Sequence, residues 1–552
     1  MKVVRFGVVL ITLFGISALS GVSAPAQMIS YPPELFSRAE RTQYQETTLH
    51  KDIVNFANTL QKYSPLVQVE TIATTKGGRP ILLLVLSNPP VKSPQEAKRS
   101  GKPVIYIEAN IHAGEVEGKE ASLELMREIA LGPRQYLLEN QIILFNPDYN
   151  PDGNDSLSAT SRSSQEGSPR LTGQRPSGEG YDLNRDALKL EAIESKGLMK
   201  NILLKWDPIL LVDLHTTDGS WHGYSLTYAP SYLTAGHPAT SNYTMDVMLP
   251  AVQKKVLERS GLPMFLYGDY RAPSQSGGEV RFSTYSHQPM YVTNSMGLRN
   301  RFAILAETFS HDRFEKRILS SKMFVLTILE YTNEHGKEMA DIIRKAEEET
   351  INQVITNAGQ FQKGVKFTMV PVDNKPFDLL IREMYADSSS GRRISRPTGR
   401  LIYLPNAINY NRFEPSKLST VPRGYVFPAE LKNAAEKLQE HGVKITTLDK
   451  TTKFTGEEFI ISSFTQAGRP FQGHQQVTIA GAFQPAEKDF PAGSYVVDLA
   501  QPLAYLVFYM LEPESDNGLT YWNFFDDYLI KSGVEKGGVP HPVFKYYIDY
   551  KK

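Results

Sequence analysis

Three mostly apolar runs, residues 104–111, 209–214 and 302–306, are each followed by a polar residue: His112, His215 and Glu307. Continuous apolar runs of this length predict strands buried on both faces of a sheet. Between them the spacing becomes helical. Over 118–131, Ala121, Leu125 and Ile129 share one face, and a second helical pattern covers 188–204. Strands alternating with helices predict an α/β domain on a mixed, largely parallel sheet flanked by helices. Ligands of such sheets gather beyond the carboxyl ends of the strands, where His112, His215 and Glu307 stand.

The stretch 151–180 is rich in Ser, Gly, Pro and Arg and has little apolar periodicity, so it predicts a long loop. A charged helical pattern over 314–359 follows Glu307 and closes a first domain, 27–355. From 360 the pattern shifts to short alternating runs at 365–370, 401–404 and 494–498, joined by Pro and Gly. They predict a β-rich α+β second domain, 360–552. Two helices are expected within it, at 428–441, with Gly442 as its terminator, and at 503–511.

The N-terminus changes the picture of location. Lys2 and Arg5 precede an apolar stretch over 6–22, and Ala24-Pro25-Ala26 supplies small residues for cleavage. Residues 1–26 therefore read as an export signal, for a secreted or periplasmic protein with no membrane span once the signal is removed. Lys plus Arg equals Asp plus Glu at 60 each, so no overall field favours nucleic acid. Cysteine is absent, which removes thiolate metal sites and thiol nucleophiles and leaves His and carboxylates as the available ligands.

A catalytic zinc takes three protein ligands, commonly two His and one carboxylate, and keeps a fourth position for water or substrate. His112-Ala113-Gly114-Glu115 offers two ligands from one tight turn after a strand, and His215 stands at the end of another. Glu307, behind an apolar run, is a carboxylate whose burial demands a purpose.

With these residues stand Asn150-Pro151-Asp152-Gly153 and Asp182-Leu183-Asn184-Arg185. In order and approximate spacing over about 100–315, the set resembles the zinc carboxypeptidase family, the funnelin metallocarboxypeptidases. The resemblance implies Zn2+ held by His112, Glu115 and His215, with Glu307 taking a proton from zinc-bound water and passing it to the leaving amine. It implies that Asp182 orients His112. Asn184 and Arg185 look like the pair that grips a substrate's terminal carboxylate, a job suited to a planar guanidinium. Where the family usually has a further Asn, this chain has Asp186, which is expected to add negative charge beside that anion site.

The family's oxyanion-stabilising Arg has candidates in Arg162, Arg170 and Arg175, with Arg162 preferred by distance from the Asn-Pro-Asp-Gly piece. The substrate-capping Tyr is Tyr285 by spacing before Glu307, with Tyr270 as the alternative. The implied substrate is a peptide or a peptidoglycan stem peptide. The alternative is a zinc amidase or deacylase related to succinylglutamate desuccinylase and aspartoacylase.

Overall fold

The computed structural model describes residues 31–165, 167, 169–232, 235–271, 278–373, 375–387, 394–548 and 550. The expected export signal lies outside the described residues. An eight-stranded sheet organises the first part of the chain, in the order Val67–Thr74, Pro80–Leu86, Ile142–Asn146, Val104–Ala109, Leu210–Thr216, Phe302–Thr308, Leu226–Pro230, Met264–Leu266. The four central strands, from Ile142–Asn146 to Phe302–Thr308, run parallel. Antiparallel pairings flank them.

Period-two alternation sends each central strand's side chains to two cores. Ile105, Ile107, Val212, Leu214, Ile304 and Ala306 pack beneath the helices His50–Tyr63, Glu117–Leu131, Leu249–Ser260 and Phe314–Asn357. Tyr106, Leu211 and Ala303 face the opposite core, with Leu198, Ile202 and Val292. The helix Glu117–Leu131 sits unusually close to the sheet at Gly118, where a Cβ would lie 2.6 Å from Leu214 Cβ.

The helix expected over 188–204 begins later, at Ile193, and its last turn widens over Met199–Leu203. Leu190 has φ 50°, a left-handed conformation no helix holds, and the Asp186 carboxylate accepts the N–H groups of Glu191 and Ala192. In the stretch 151–180, Pro151–Asp155 forms a short helix whose Gly153 N–H donates to Asn150 Oδ1 at 3.0 Å; an isolated bridge joins Ser158 and Thr172 further on.

The region from 360 is β-rich. Gln362–Val370 pairs with Arg412–Thr420, and a separate seven-stranded sheet contains the long hairpin Thr452–Gln466 with Val477–Phe490. The helices Lys432–Glu440 and Ala504–Leu511 pack in one core with Trp522 and Phe525. That core also takes in Leu188, Met290, Leu298 and Val354 from the first part of the chain. Ile394–Tyr410 runs parallel to Val280–Ser283, so the two parts are joined by a sheet as well.

Candidate metal centre and cleft

The three strand ends meet. Glu307 and His215 are register partners on adjacent parallel strands. Asn110, at φ 68°, turns the chain out of Val104–Ala109, and Glu115 N–H donates to His112 O at 2.8 Å, which brings both side chains to one side. A Cβ on Gly114 would lie 2.7 Å from Arg162 Nε and 2.7 Å from Gly173 O, so only glycine fits between them. His112 Nδ1 is 3.0 Å from Glu115 Oε1, and His215 Nδ1 is 2.8 Å from Glu115 Oε2. The three ligand atoms lie within 4.8 Å of one another, and all three residues are buried.

Each imidazole turns its other nitrogen to a carboxylate. His112 Nε2 is 3.2 Å from Asp182 Oδ1, and His215 Nε2 is 2.7 Å from Asp213 Oδ2. Donating the Nε2 proton to a carboxylate leaves the Nδ1 lone pair for a cation. Two imidazole nitrogens and one carboxylate oxygen form a donor set that zinc takes with a fourth position open, so the residues present fit a zinc ion.

The cluster's own charges shift the titration of its members. Against burial, which would raise it, Arg162 and His112 hold the Glu115 carboxyl well below the usual range. Asp182 is likewise depressed, burial notwithstanding, by His112 and Arg175. Against burial, which would lower it, Asp213 and Glu115 push His215 well up. Burial pushes Glu307 up to about 8, with Glu115 adding to the rise and His215 opposing it. A cation beside it would oppose that rise and favour the carboxylate, the form that accepts a proton from water.

His112, Glu115 and Glu307 open on a cleft of about 320 Å³ that Asn184 and Arg185 also line. Asn184 Nδ2 is 3.3 Å from His215 Nε2, while its Oδ1 accepts Val292 N–H at 3.1 Å. The Arg185 guanidinium lies 4.3 Å from the centre of the Tyr291 ring, and its Nη1 donates to Asn184 O at 2.7 Å.

A family model described as zinc carboxypeptidase matches residues 53–201. Carboxypeptidase 2 of Trichophyton tonsurans is 23% identical over 448 residues, 77% of this chain and 74% of that protein. Carboxypeptidase 2 of Trichophyton rubrum is 23% identical over 460 residues, 79% and 76% of the two chains. Over this span the chain is similar to the zinc carboxypeptidases. Among solved structures, the metallo-carboxypeptidase of Burkholderia cenocepacia aligns with TM-score 0.39 and 17% identity, covering 51% of this chain and 69% of that one. The family match includes His112, Glu115, Asn184 and Arg185 and stops before His215 and Glu307, which the sheet brings to the same place.

Arg162 reaches the cleft with Nη2 2.8 Å from Glu115 Oε1. Arg175 also lines it and is tied through Nε to Asp182 Oδ2 at 2.8 Å. Arg170 is outside the lining. Tyr285 lines the cleft, its hydroxyl 3.0 Å from Thr293 Oγ1 and its ring edge-on to Tyr291. Tyr270 lies outside the lining, on the strand Asp269–Arg271. One expectation is corrected: Asp186 adds no charge to the cleft. Its carboxylate is fully buried, 3.1 Å from Lys189 Nζ, and occupied by the two backbone N–H groups named above.

Four further contributors carry no motif of their own in the sequence. Asp213 was signalled by its place two residues before His215, which puts both on one face of a strand. Tyr267 is a second phenol in the cleft, and burial followed by the charge of Glu307 pushes it well up. Thr216 and Thr308 follow His215 and Glu307 and both donate to Glu117 Oε1, which also lies 3.2 Å from Arg317 Nε. This fully buried ion pair ties the residue after the second His to the residue after Glu307.

Proposed function

We propose that the chain is a secreted zinc metallocarboxypeptidase that hydrolyses the C-terminal peptide bond of peptides or of a peptidoglycan stem peptide. The observation that carries this reading is the double orientation of His112 and His215, Nδ1 toward Glu115 and Nε2 toward a carboxylate, in a cleft shared with Glu307 and Arg185. Export rests on residues 1–26. Among the described residues no helix is long and apolar enough to cross a membrane.

Zinc held by His112 Nδ1, Glu115 and His215 Nδ1 would supply a Lewis acid that polarises the scissile carbonyl and makes water acidic enough to react near neutrality. Arg185, with Asn184 beside it, binds the substrate's terminal carboxylate by paired N–H donors and so sets which bond lies over Glu307. Glu307 takes the proton of the attacking water and returns it to the nitrogen of the leaving residue. Arg162 donates to the carbonyl oxygen as negative charge develops there. Tyr285 packs against the departing side chain, and Asp182 and Asp213 keep the two imidazoles turned to the metal.

Paired N-blocked peptides, one with a free C-terminal carboxylate and one amidated, test the reading. The free acid is expected to lose its last residue at a rate at least about ten-fold above the amide, given the strength of charge-assisted bonds to Arg185. Equal rates, or cleavage confined to the amide, would remove the carboxylate-gripping role. Preference for acyl amino acids over both peptides would point to the deacylase chemistry instead.

A further inference from the structure

Two segments form the wall around Arg185, and the C-terminal region holds each of them. The first follows the metal-orienting aspartate: Asp182 N–H donates to Gln472 Oε1 at 3.1 Å, and Glu191 Oε1 is 2.8 Å from His474 Nε2. The second runs from Tyr285 to Tyr291. Gln288 Nε2 donates to Asp516 O at 3.0 Å, Met290 N–H donates to Asn517 Oδ1 at 3.0 Å, and His287 Nε2 is 3.1 Å from Asp516 Oδ2. Asn517 is fully buried, and Asp516 is anchored by the Tyr509 hydroxyl on the buried helix Ala504–Leu511.

These contacts converge on one side chain. Met290 precedes Tyr291, whose ring supports the Arg185 guanidinium, and Met290 O accepts Ala187 N–H at 3.2 Å, which closes a bridge back to the segment carrying Arg185. Arginine has a long side chain with many rotamers, so its fork is placed only as well as the surface beneath it. A hydrogen bond to the residue before Tyr291 fixes that surface.

We propose that the C-terminal region is a built part of the substrate site, with Asn517 as a positioning residue that fixes Tyr291 and, through it, Arg185 for a substrate's terminal carboxylate. The proposal rests on the carboxypeptidase reading. It assigns the region from 360 a role in substrate binding.

The test compares the full-length protein with Asn517→Ala and with Phe454→Leu, a core change in a small C-terminal cluster away from these contacts. Each is assayed on the free-acid and amidated peptides, and backbone hydrogen exchange is followed over 284–292. Asn517→Ala is expected to raise KM for the free acid about five-fold, with kcat and amide hydrolysis little changed, because one buried hydrogen bond is lost. Exchange over 284–292 should quicken in Asn517→Ala alone. An unchanged KM, an equal KM rise for the amide, or the same pattern in Phe454→Leu would overturn the proposal. A wild-type protein that releases no residue from either peptide defeats the carboxypeptidase reading first and this proposal with it.

Discussion

Asp213 and His215 stand two residues apart on one strand, and Oδ2 of the first lies 2.7 Å from Nε2 of the second. The contact decides which nitrogen of His215 carries the proton, since a carboxylate only accepts. An amide in its place can present a donor and favour the wrong tautomer. Asp213→Asn is expected to weaken zinc binding about 10- to 100-fold in a chelator competition. Unchanged affinity would show that the strand alone sets the ring.

Arg185 should not tolerate replacement by lysine. An ammonium group loses both the paired donors and the flat stack on Tyr291. Arg185→Lys is expected to raise KM for a free-acid peptide about ten- to a hundred-fold, with the amidated peptide unaffected. Steady-state kinetics on the two peptides reads this directly.

The helix-to-sheet contact at Gly118 gives a stability prediction in which two effects oppose. Alanine is better than glycine inside a helix by about 1 kcal/mol. The added Cβ would meet Leu214 Cβ at 2.6 Å, however, and overpacking of a tight core costs about 1–3 kcal/mol. The clash is expected to win, so Gly118→Ala should lower Tm and stability to denaturant. A stabilised variant would show that the helix can lift off the sheet at no cost.

How much of this was legible in the sequence depends on the range of the determining contact. The strand beginning at Phe302 and the long helix beginning at Phe314 were readable because apolar runs and helical spacing are local. The convergence of His112, Glu115 and His215 was readable because strand ends collect ligands and His112 and Glu115 share one turn. Asp186 was misjudged because its partners, Lys189 and two backbone N–H groups, exist only once the chain has turned at Leu190. The parallel pairing of Ile394–Tyr410 with Val280–Ser283 and the bond from Asn517 to Met290 join residues far apart in the chain, and no local pattern encodes them.

Buried histidines outside the cleft predict the acid response. His441 is fully buried beside Leu188 O at 2.8 Å, and burial followed by the charge of Arg299 pushes it down to about 3. Its pKa when unfolded is about 6.5. The folded protein therefore binds fewer protons than the unfolded chain between those values, so stability is full above about pH 6.5 and falls as the pH drops toward 3. At pH 5 the loss from this one group is about 2 kcal/mol. His441→Gln is expected to be less stable at pH 7 but to show a shallower decline to pH 5, as read by urea unfolding at the two pH values.

The central claim is that His112, Glu115 and His215 hold a zinc ion beside Glu307 as the base. It is tested most directly by measuring zinc content and release of the last residue from a free-acid peptide for the wild type, the chelated and zinc-restored protein, and Glu307→Gln. One zinc per chain is expected in the wild type and in Glu307→Gln. Activity should vanish on chelation, return with zinc, and fall about 10²- to 10⁴-fold in Glu307→Gln. Undiminished hydrolysis by the chelated protein, or by Glu307→Gln carrying its zinc, would contradict the account.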